Sequence, residues 1–305
     1  MLTNIFIRFR RYLRERFPLK DFIPLALVFA ATGGICIQVY VYGEIKNALS
    51  LICGFFAFIL FLLRLRIFDE FKDFEHDAKY YPSRPVPRGL ITLNELKLFI
   101  LPLLCMEMLL AISRGRSSFT LFSLSLIYSL LMFKEFFARE WLRQHFTIYI
   151  ISHEILVLPL FLYIFALNGM ALSNIGQIYF WAVAFFLGCQ LFLLEVARKV
   201  RPAAMEIPSR DTYTAQYGVG GASGLIICLG AMTVIFKIYI EKVICGKVSS
   251  SNYLPLLALL IFVFTIFRFF KHPNAANAKR ILNVAILFIL VIDLVLIVQC
   301  LFKWL

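Results

Sequence analysis

The chain has 305 residues, of which 61% are hydrophobic and only 16% are charged, and its formal net charge is +13. A soluble domain is about 45–50% apolar and about 25% charged, so this composition excludes an ordinary soluble enzyme and a disordered protein. The seven cysteines are scattered and form no CxxC pair, so they indicate neither a zinc site nor a disulfide framework.

Hydrophobic stretches recur along almost the whole chain after a basic N-terminal segment. A helix needs about 20 residues to cross a hydrocarbon core of about 30 Å, and continuous apolar runs favour helices over the alternating strands of a barrel. By this criterion, nine spans are predicted at about 22–42, 48–67, 96–113, 118–135, 146–167, 175–194, 219–240, 252–270 and 281–302. The sequence therefore predicts an all-α, polytopic membrane protein in which residues 1–305 form a single transmembrane helical domain.

Basic residues are divided unevenly between the two sides that nine spans define. The N-terminal segment and the connections after spans two, four, six and eight hold 24 of the 31 Lys and Arg residues, including Arg210, and the other side holds seven, including Lys303. Basic residues collect in cytoplasmic loops, so this division predicts a cytoplasmic N-terminus and a C-terminus on the opposite side. It also explains most of the net charge without a nucleic-acid partner.

The first polar segment follows span two and contains clustered acids. If the helix continues beyond the span, Asp69, Asp73 and Asp77 are spaced i, i+4 and i+8, and Glu70 precedes Asp73 by three residues, so they share one face. Like charges this close repel one another unless a cation lies among them, and carboxylates with waters and substrate phosphates are the usual ligands of Mg²⁺. The alternative interpretation is a solvated, charge-mixed helix end.

A proline-rich run follows the acids at once. It reads Arg84-Pro-Val-Pro-Arg88-Gly89, and its two prolines predict a rigid, non-helical turn. The guanidinium groups of Arg84 and Arg88 suit phosphate oxygens.

The acids and this turn together resemble the first motif of a known family, the UbiA superfamily of intramembrane prenyltransferases. That motif reads NDxxDxxxD and is followed by a stretch like RPLPxG, and here Asp69 stands in place of the usual Asn and Glu70 in place of the first Asp. Nine spans, with polar loops after spans two and six, extend the resemblance over the whole chain. The resemblance implies that Asp69, Glu70, Asp73 and Asp77 bind Mg²⁺, with Asp73 and Asp77 also catalytic, and that Arg84 and Arg88 bind a substrate diphosphate.

Span four ends with Tyr128 and Lys134, where the family commonly has a tyrosine and a basic residue. The resemblance implies that Lys134 contacts the diphosphate and takes part in catalysis. A lysine that extends to the membrane interface is the alternative.

The second polar segment, after span six, departs from the family's usual DxxxD motif. Glu195 and Lys199 occupy the i and i+4 positions here, and one interpretation is an intrahelical salt bridge. The other, implied by the resemblance, is that Lys199, as a catalytic residue, and Arg201 neutralise the diphosphate directly. A metal ligand would then remain among the acids of this segment, which are Glu195, Glu206 and Asp211.

Ionisable residues inside a span are costly and are functional hypotheses by default, and His153, Glu154 and Asp293 are considered on that ground. His153 and Glu154 in span five are adjacent and face different directions, so that one could touch an acceptor and the other a neighbouring helix. For Asp293 in span nine, a packing or hydrogen-bonding role is expected.

The expected activity is Mg²⁺-dependent transfer of a prenyl group from a polyprenyl diphosphate to an aromatic or lipid-like acceptor. One alternative is transfer of a phosphoribosyl or other sugar phosphate to a polyprenyl phosphate, which the altered second motif suits. Another is a catalytically inactive membrane transport or lipid-binding protein on the same fold. The expected partners are a polyprenyl (pyro)phosphate, membrane lipids and a small-molecule acceptor. The acceptor's identity, the prenyl chain length, the number of Mg²⁺ ions and the oligomeric state are left open.

Overall fold

The computed structural model describes residues 2–207 and 211–302, so Arg210 and Lys303, counted above, lie outside the described residues. Within them, the regular elements are helices, which confirms the all-α class. The α-helices are α1 (Leu2–Arg16), α2 (Leu19–Tyr42), α3 (Ala48–Lys72), α4 (Phe74–Tyr80), α5 (Leu93–Ser113), α6 (Arg116–Phe133), α7 (Arg139–Gln144), α8 (Phe146–Glu154), α9 (Val157–Leu167), α10 (Ile178–Arg198), α11 (Tyr213–Cys245), α12 (Tyr253–Lys271) and α13 (Ala275–Phe302).

Nine helical segments of the described chain are long and apolar enough to cross a membrane, which confirms the predicted spans as elements. They are α2, α3, α5, α6, α8 with α9, α10, α11, α12 with its preceding turn, and α13. The largest difference is at span seven, predicted at 219–240. Its helix begins six residues earlier because the Thr212 side chain caps it, accepting a hydrogen bond from the backbone of Ala215, and a positive φ of 69° at Gly218 bends it. The side of the membrane on which each terminus lies stays a prediction.

The chain forms two compact units. Unit 1 comprises Met1–Gly34 and Asn47–Leu172, and unit 2 comprises Ile35–Lys46 and Ser173–Leu305. The first polar segment belongs to unit 1 and the second to unit 2. The single transmembrane domain expected from the sequence stays a prediction.

Stacked aromatic rings occupy the core of unit 1. Phe29, Phe58 and Phe161 are all fully buried, and their ring centroids lie 5.8 to 6.2 Å apart. Lipid tails are as apolar as these side chains, so close packing rather than exclusion of water holds membrane helices together.

A buried ion pair joins three helices of unit 1. Arg64 of α3 is fully buried; its Nε donates to Glu107 Oε2 at 2.7 Å and its Nη1 to Ser129 Oγ at 2.9 Å. Its guanidinium carbon also lies 4.6 Å from the ring centroid of Phe61. A charge within a span is costly unless it is paired, and this pairing ties α3 to α5 and α6.

Unit 2 contains its own buried polar contacts. The Glu241 carboxylate on α11 accepts hydrogen bonds from Lys237 at 2.8 Å, Asn252 at 2.6 Å and Gln299 at 3.0 Å. Elsewhere in this unit, Gln190 donates to Asp293 at 2.8 Å, which confirms the hydrogen-bonding role expected for that acid. These contacts satisfy polar groups inside the helix bundle of unit 2.

Candidate functional site

The acidic motif lies where α3 meets α4. Asp73 separates the two helices with φ −100° and ψ 10°, yet backbone hydrogen bonds cross the bend, from Asp73 to the carbonyl of Asp69 and from Asp77 to the carbonyl of Asp73, each 2.8 Å long. The acids therefore follow a kinked helix. The helix continues past the span as expected, with a kink at Asp73.

Two of the four acids are buried and already paired with guanidinium groups. Glu70 accepts a hydrogen bond from Arg16 Nε at 2.6 Å, and the Tyr12 hydroxyl lies 3.4 Å from the same oxygen. Asp77 accepts from Arg84 Nη1 at 2.5 Å, and Arg16 Nη2 lies 3.8 Å from its other oxygen. Arg16 therefore reaches both acids from α1, a contribution that the motif itself did not reveal.

Asp73 differs from these two acids because its side chain forms no hydrogen bond or salt bridge with any described residue. Burial raises the pKa of its carboxyl group from 3.8 to about 6. The negative charges of Asp69, Asp77 and Glu135 add to that effect, and the neighbouring Lys72 opposes it. The ionised form of Asp73 is thus disfavoured mainly by burial, and a bound cation would stabilise that form.

Asp69 is more exposed, and its one described ion pair is with Arg66 on the same helix. Arg66 Nη1 lies 3.4 Å from Asp69 Oδ2, three residues apart. An ion pair of this kind is weak in an exposed setting, so Asp69 retains capacity for a further cation.

A strained turn lies beside the acids, after span four. Glu135, Phe136 and Phe137 all have positive φ values, 47°, 52° and 57°, although none is glycine. Each such residue costs about 1 kcal/mol or more, and strain of this kind concentrates at functional sites. Here it buries Glu135 beside the motif and packs Phe136 against His153, with ring centroids 6.1 Å apart.

Lys72 and Tyr149 also belong to this site, although the sequence analysis did not single them out. Lys72 Nζ lies 3.3 Å from the Tyr149 hydroxyl, and the Tyr149 ring lies 4.0 Å from the His153 ring. His153 Nδ1 is 2.7 Å from the Tyr149 carbonyl oxygen. Lys72 could have been predicted as a site residue because it directly precedes Asp73. Its contact with Tyr149 could not, because the two residues are 77 positions apart in the sequence.

The proline-rich turn is confirmed. Gly89 has a φ of 78°, and the Arg88 backbone donates to the Arg84 carbonyl at 3.0 Å. The Arg84 guanidinium lies beside Asp77 and over the Tyr81 ring, 3.7 Å from its centroid. By contrast, both terminal nitrogens of Arg88 contact Glu15, at 2.6 and 2.9 Å. Arg88 therefore ties the turn to α1, and its binding to a diphosphate stays a prediction.

Lys134 is exposed at the end of α6. Its ammonium group lies 5.5 Å from the ring centroid of the adjacent Phe133, and it makes no hydrogen bond or salt bridge to the described part of the chain. Its roles in diphosphate binding and catalysis stay predictions.

In unit 2, Glu195 forms a salt bridge with each of two cations on its own helix face. Arg198 Nη2 lies 2.5 Å from one carboxylate oxygen and Lys199 Nζ lies 2.8 Å from the other. The intrahelical salt bridge is confirmed. Metal binding by Glu195 and phosphate binding by Lys199 are untested predictions.

The rest of the second segment is organised around the start of α11. Glu206 accepts hydrogen bonds from Thr212 and Thr214, at 2.6 to 2.7 Å, and the Arg201 backbone donates to Thr214 Oγ1 at 3.0 Å. Asp211 is half-buried directly before the capping Thr212. These contacts fasten the loop to the helix, and the metal and phosphate roles of Glu206 and Arg201 stay predictions.

A metal ion at the acidic motif would need ligands from a substrate. Across residues 2–207 and 211–302, no three His, Cys, Asp or Glu side chains are placed to hold a metal by themselves. Mg²⁺ in proteins usually takes one or two carboxylates and completes its shell with waters and substrate phosphates. Asp73, which has no described hydrogen-bond partner, and the partly exposed Asp69 fit that role.

Comparisons with known proteins connect this geometry to a fold. The chain matches no protein-family model and no curated protein. Its fold is similar to that of a digeranylgeranylglyceryl phosphate synthase (19% identity, TM-score 0.59, 96% of this chain and 98% of that chain). It is also similar to a UbiA homologue from Aeropyrum pernix K1 (15%, 0.64, 93% and 99%) and to one from Archaeoglobus fulgidus bound to Cd²⁺ (15%, 0.53, 93% and 98%). The chain therefore has the fold of UbiA homologues over nearly its whole length, which confirms the family resemblance at the level of the fold.

Proposed function

We propose that the protein is a membrane-embedded transferase that moves a prenyl group from an allylic polyprenyl diphosphate to a second molecule. The observation that carries the proposal is that Asp73, at a helix kink, is mostly buried and has no described hydrogen-bond partner. Asp77, four residues further along, holds Arg84. In the reaction, the C1–O bond of the substrate breaks and its electron pair leaves with the diphosphate. A nucleophilic atom of the acceptor then bonds to C1 and loses its proton.

The residues of unit 1 have distinct roles in this proposal. Asp69 and Asp73 would hold Mg²⁺, which would supply positive charge to neutralise the charge that develops on the leaving group. Arg84, held by Asp77, has further N–H groups available for phosphate oxygens. Glu70 fixes Arg16 in the same place. Cations held in position before the reaction stabilise developing charge without reorganisation.

Other residues of the two polar segments and Lys134 would add metal ligands and phosphate-binding cations. Glu70 and Asp77 would bind the ion only by exchanging their guanidinium partners. In unit 2, one of the acids Glu195, Glu206 and Asp211 would hold a second ion. The additional phosphate-binding cations are Arg88, Lys134, Lys199 and Arg201.

Two of the structural relatives support a prenyl lipid and a divalent ion. One is a synthase named for a product that carries geranylgeranyl groups on glyceryl phosphate. Another, a UbiA homologue, was solved with bound Cd²⁺. By analogy, we infer an isoprenoid diphosphate donor and a lipid-like or aromatic acceptor for this chain.

The test uses purified protein in nanodiscs with tritiated geranylgeranyl diphosphate and a membrane lipid extract, with Mg²⁺ or EDTA. We expect Mg²⁺-dependent release of diphosphate and transfer of the label to a new lipid. Asp73→Ala should retain less than about 1% of the activity and still elute as a folded, helical protein. Glu75→Ala removes an exposed acid of the same segment and is the matched control. Activity near wild type in Asp73→Ala would overturn the assignment.

A second candidate is transfer of a phosphoribosyl group to a polyprenyl phosphate. It is favoured by the second segment, where Glu195 pairs with Arg198 and Lys199 in place of two aspartates. In a parallel incubation with phosphoribosyl diphosphate labelled in the ribose and with polyprenyl phosphate, label in the lipid would support it. Binding of either lipid without release of diphosphate would instead indicate a transport or lipid-binding protein.

A further inference from the structure

The N-terminal helix α1 has an inner face that holds the acidic motif. Tyr12 is fully buried, and the Phe9 ring stacks on Phe99 with centroids 3.7 Å apart. The same side carries Arg16, which pairs with Glu70, and the helix end carries Glu15, which pairs with Arg88. An ion pair between Arg8 and Glu95 adds a further contact of this face.

The outer face of α1 is both basic and apolar. Arg10 and Arg14 lie two residues on either side of Tyr12, which turns them roughly 160° from the buried side. Both are exposed, as is Arg11, and none of the three pairs with a described residue. Phe6 and Ile7, near the start of the helix, are 62% and 50% exposed, and the Phe6 ring meets Phe99 at one edge, with centroids 6.0 Å apart.

The position of α1 in the chain brings this face to a membrane surface. α1 ends at Arg16 and the first span begins at Leu19, so only Phe17 and Pro18 separate them. Two residues reach about 7 Å, so α1 must lie close to the end of a membrane-spanning helix. An amphipathic helix that bears arginines and exposed Phe or Ile beside a span is typical of helices that lie in the interface plane.

We propose that the outer face of α1 binds anionic phospholipid headgroups, with Phe6 and Ile7 inserted among the upper acyl chains. The three unpaired arginines provide the charge complementarity, and the apolar pair distinguishes a lipid surface from a soluble acidic partner. Because the inner face of the same helix carries Arg16 and Glu15, headgroup binding also stabilises their contacts with Glu70 and Arg88. The lipid surface thereby helps to order the acidic motif.

Hydrogen–deuterium exchange of the full chain tests this inference without an activity assay. The protein is compared in nanodiscs of phosphatidylcholine alone and of phosphatidylcholine with 30% phosphatidylglycerol. Amides of α1, and those of residues 69–80, should exchange at least about fivefold more slowly with the anionic lipid. At 0.5 M NaCl most of the difference should disappear, because salt screens charges exposed to solvent.

Variants that remove equal numbers of charges test whether the outer face of α1 causes the lipid-dependent protection. In the variant R10Q/R11Q/R14Q, the lipid-dependent protection of α1 should fall to less than twofold. The control K271Q/K279Q/R280Q removes three exposed basic residues from the connection after span eight and should keep the protection. Unchanged exchange across residues 48–66 of α3 shows that a variant is folded.

Three outcomes would overturn the inference. The first is that wild-type α1 exchanges at the same rate in both lipids. This result does not depend on whether any variant folds. The second is an equal loss of protection in the control. The third, protection of α1 without any change at residues 69–80, would remove the link to the acidic motif.

Discussion

The first polar segment holds five carboxylates and the second holds three, and the two segments also differ in how their carboxylates are satisfied. In the second segment, Glu195 pairs with two cations of its own helix and Glu206 accepts from two threonine hydroxyls. In the first, Asp73 is mostly buried without such a partner, and its pKa is raised to about 6. A charge that the fold has not neutralised is therefore a better indicator of a ligand site than a count of acids.

The largest expected effect distinguishes these carboxylates directly. Asp73→Asn should lower turnover by about 10³-fold or more, because the metal–diphosphate complex loses its ligand. Glu206→Gln should lower it less than about tenfold, because threonine hydroxyls can still bond to the amide. Diphosphate release measures both. Equal losses would contradict the contrast between the segments.

Arg16 should have the next largest effect. Arg16→Gln leaves Glu70, which is only 2% exposed, without its guanidinium partner, and a buried charge that loses its partner costs about 3 kcal/mol or more. We expect a 10- to 100-fold loss of turnover and faster amide exchange at residues 69–80, with partial rescue by Arg16→Lys. Arg143→Gln is the control, because it removes an exposed arginine that pairs with Glu140 and with no other described residue. A loss of the same size there would show a general charge effect.

A double-mutant cycle on the second segment should give a smaller effect. An i, i+4 ion pair on a helix contributes only about 0.3–0.5 kcal/mol, so Glu195→Gln should leave the KM for the diphosphate within about twofold. If Lys199 also binds phosphate, Lys199→Gln should raise that KM about tenfold, whether or not Glu195 is present. A Lys199 effect that vanishes in the double variant would reduce Lys199 to a salt-bridge partner.

The smallest effect concerns stability and pH. Because the pKa of Asp73 is raised on folding, its ionisation destabilises the metal-free protein. This destabilisation is at its maximum above pH about 6, the raised pKa. It declines as the pH falls toward 3.8, the ordinary pKa of the carboxyl group, and is absent below pH 3.8. Asp73→Asn in EDTA should therefore melt a few degrees higher than wild type at pH 7.5, and the gain should shrink steadily at lower pH. A constant gain would assign the effect to another cause.

The spans could be predicted from sequence because each is a long apolar run, and only their ends differ. The helical N-terminal segment was not predicted, since its role depends on packing of Tyr12 against Ile67, Val86 and other residues far along the chain. For the same reason the pairing of Arg16 with Glu70, 54 residues away, could not be inferred. The left-handed turn at Glu135–Phe137 contains no glycine that would have marked it.

Burial of Arg64 also has a consequence for the order in which the membrane protein is assembled. An arginine in an isolated span costs up to about 2.5–3.5 kcal/mol on insertion, the value for the centre of the span. The partner of Arg64, Glu107, is 43 residues further along the chain. At 5–20 residues per second, the ribosome needs about 2–9 s to add those residues. We therefore expect α3 to wait beside the insertion machinery until α5 arrives, so that the two helices enter the lipid as a charge-neutral pair.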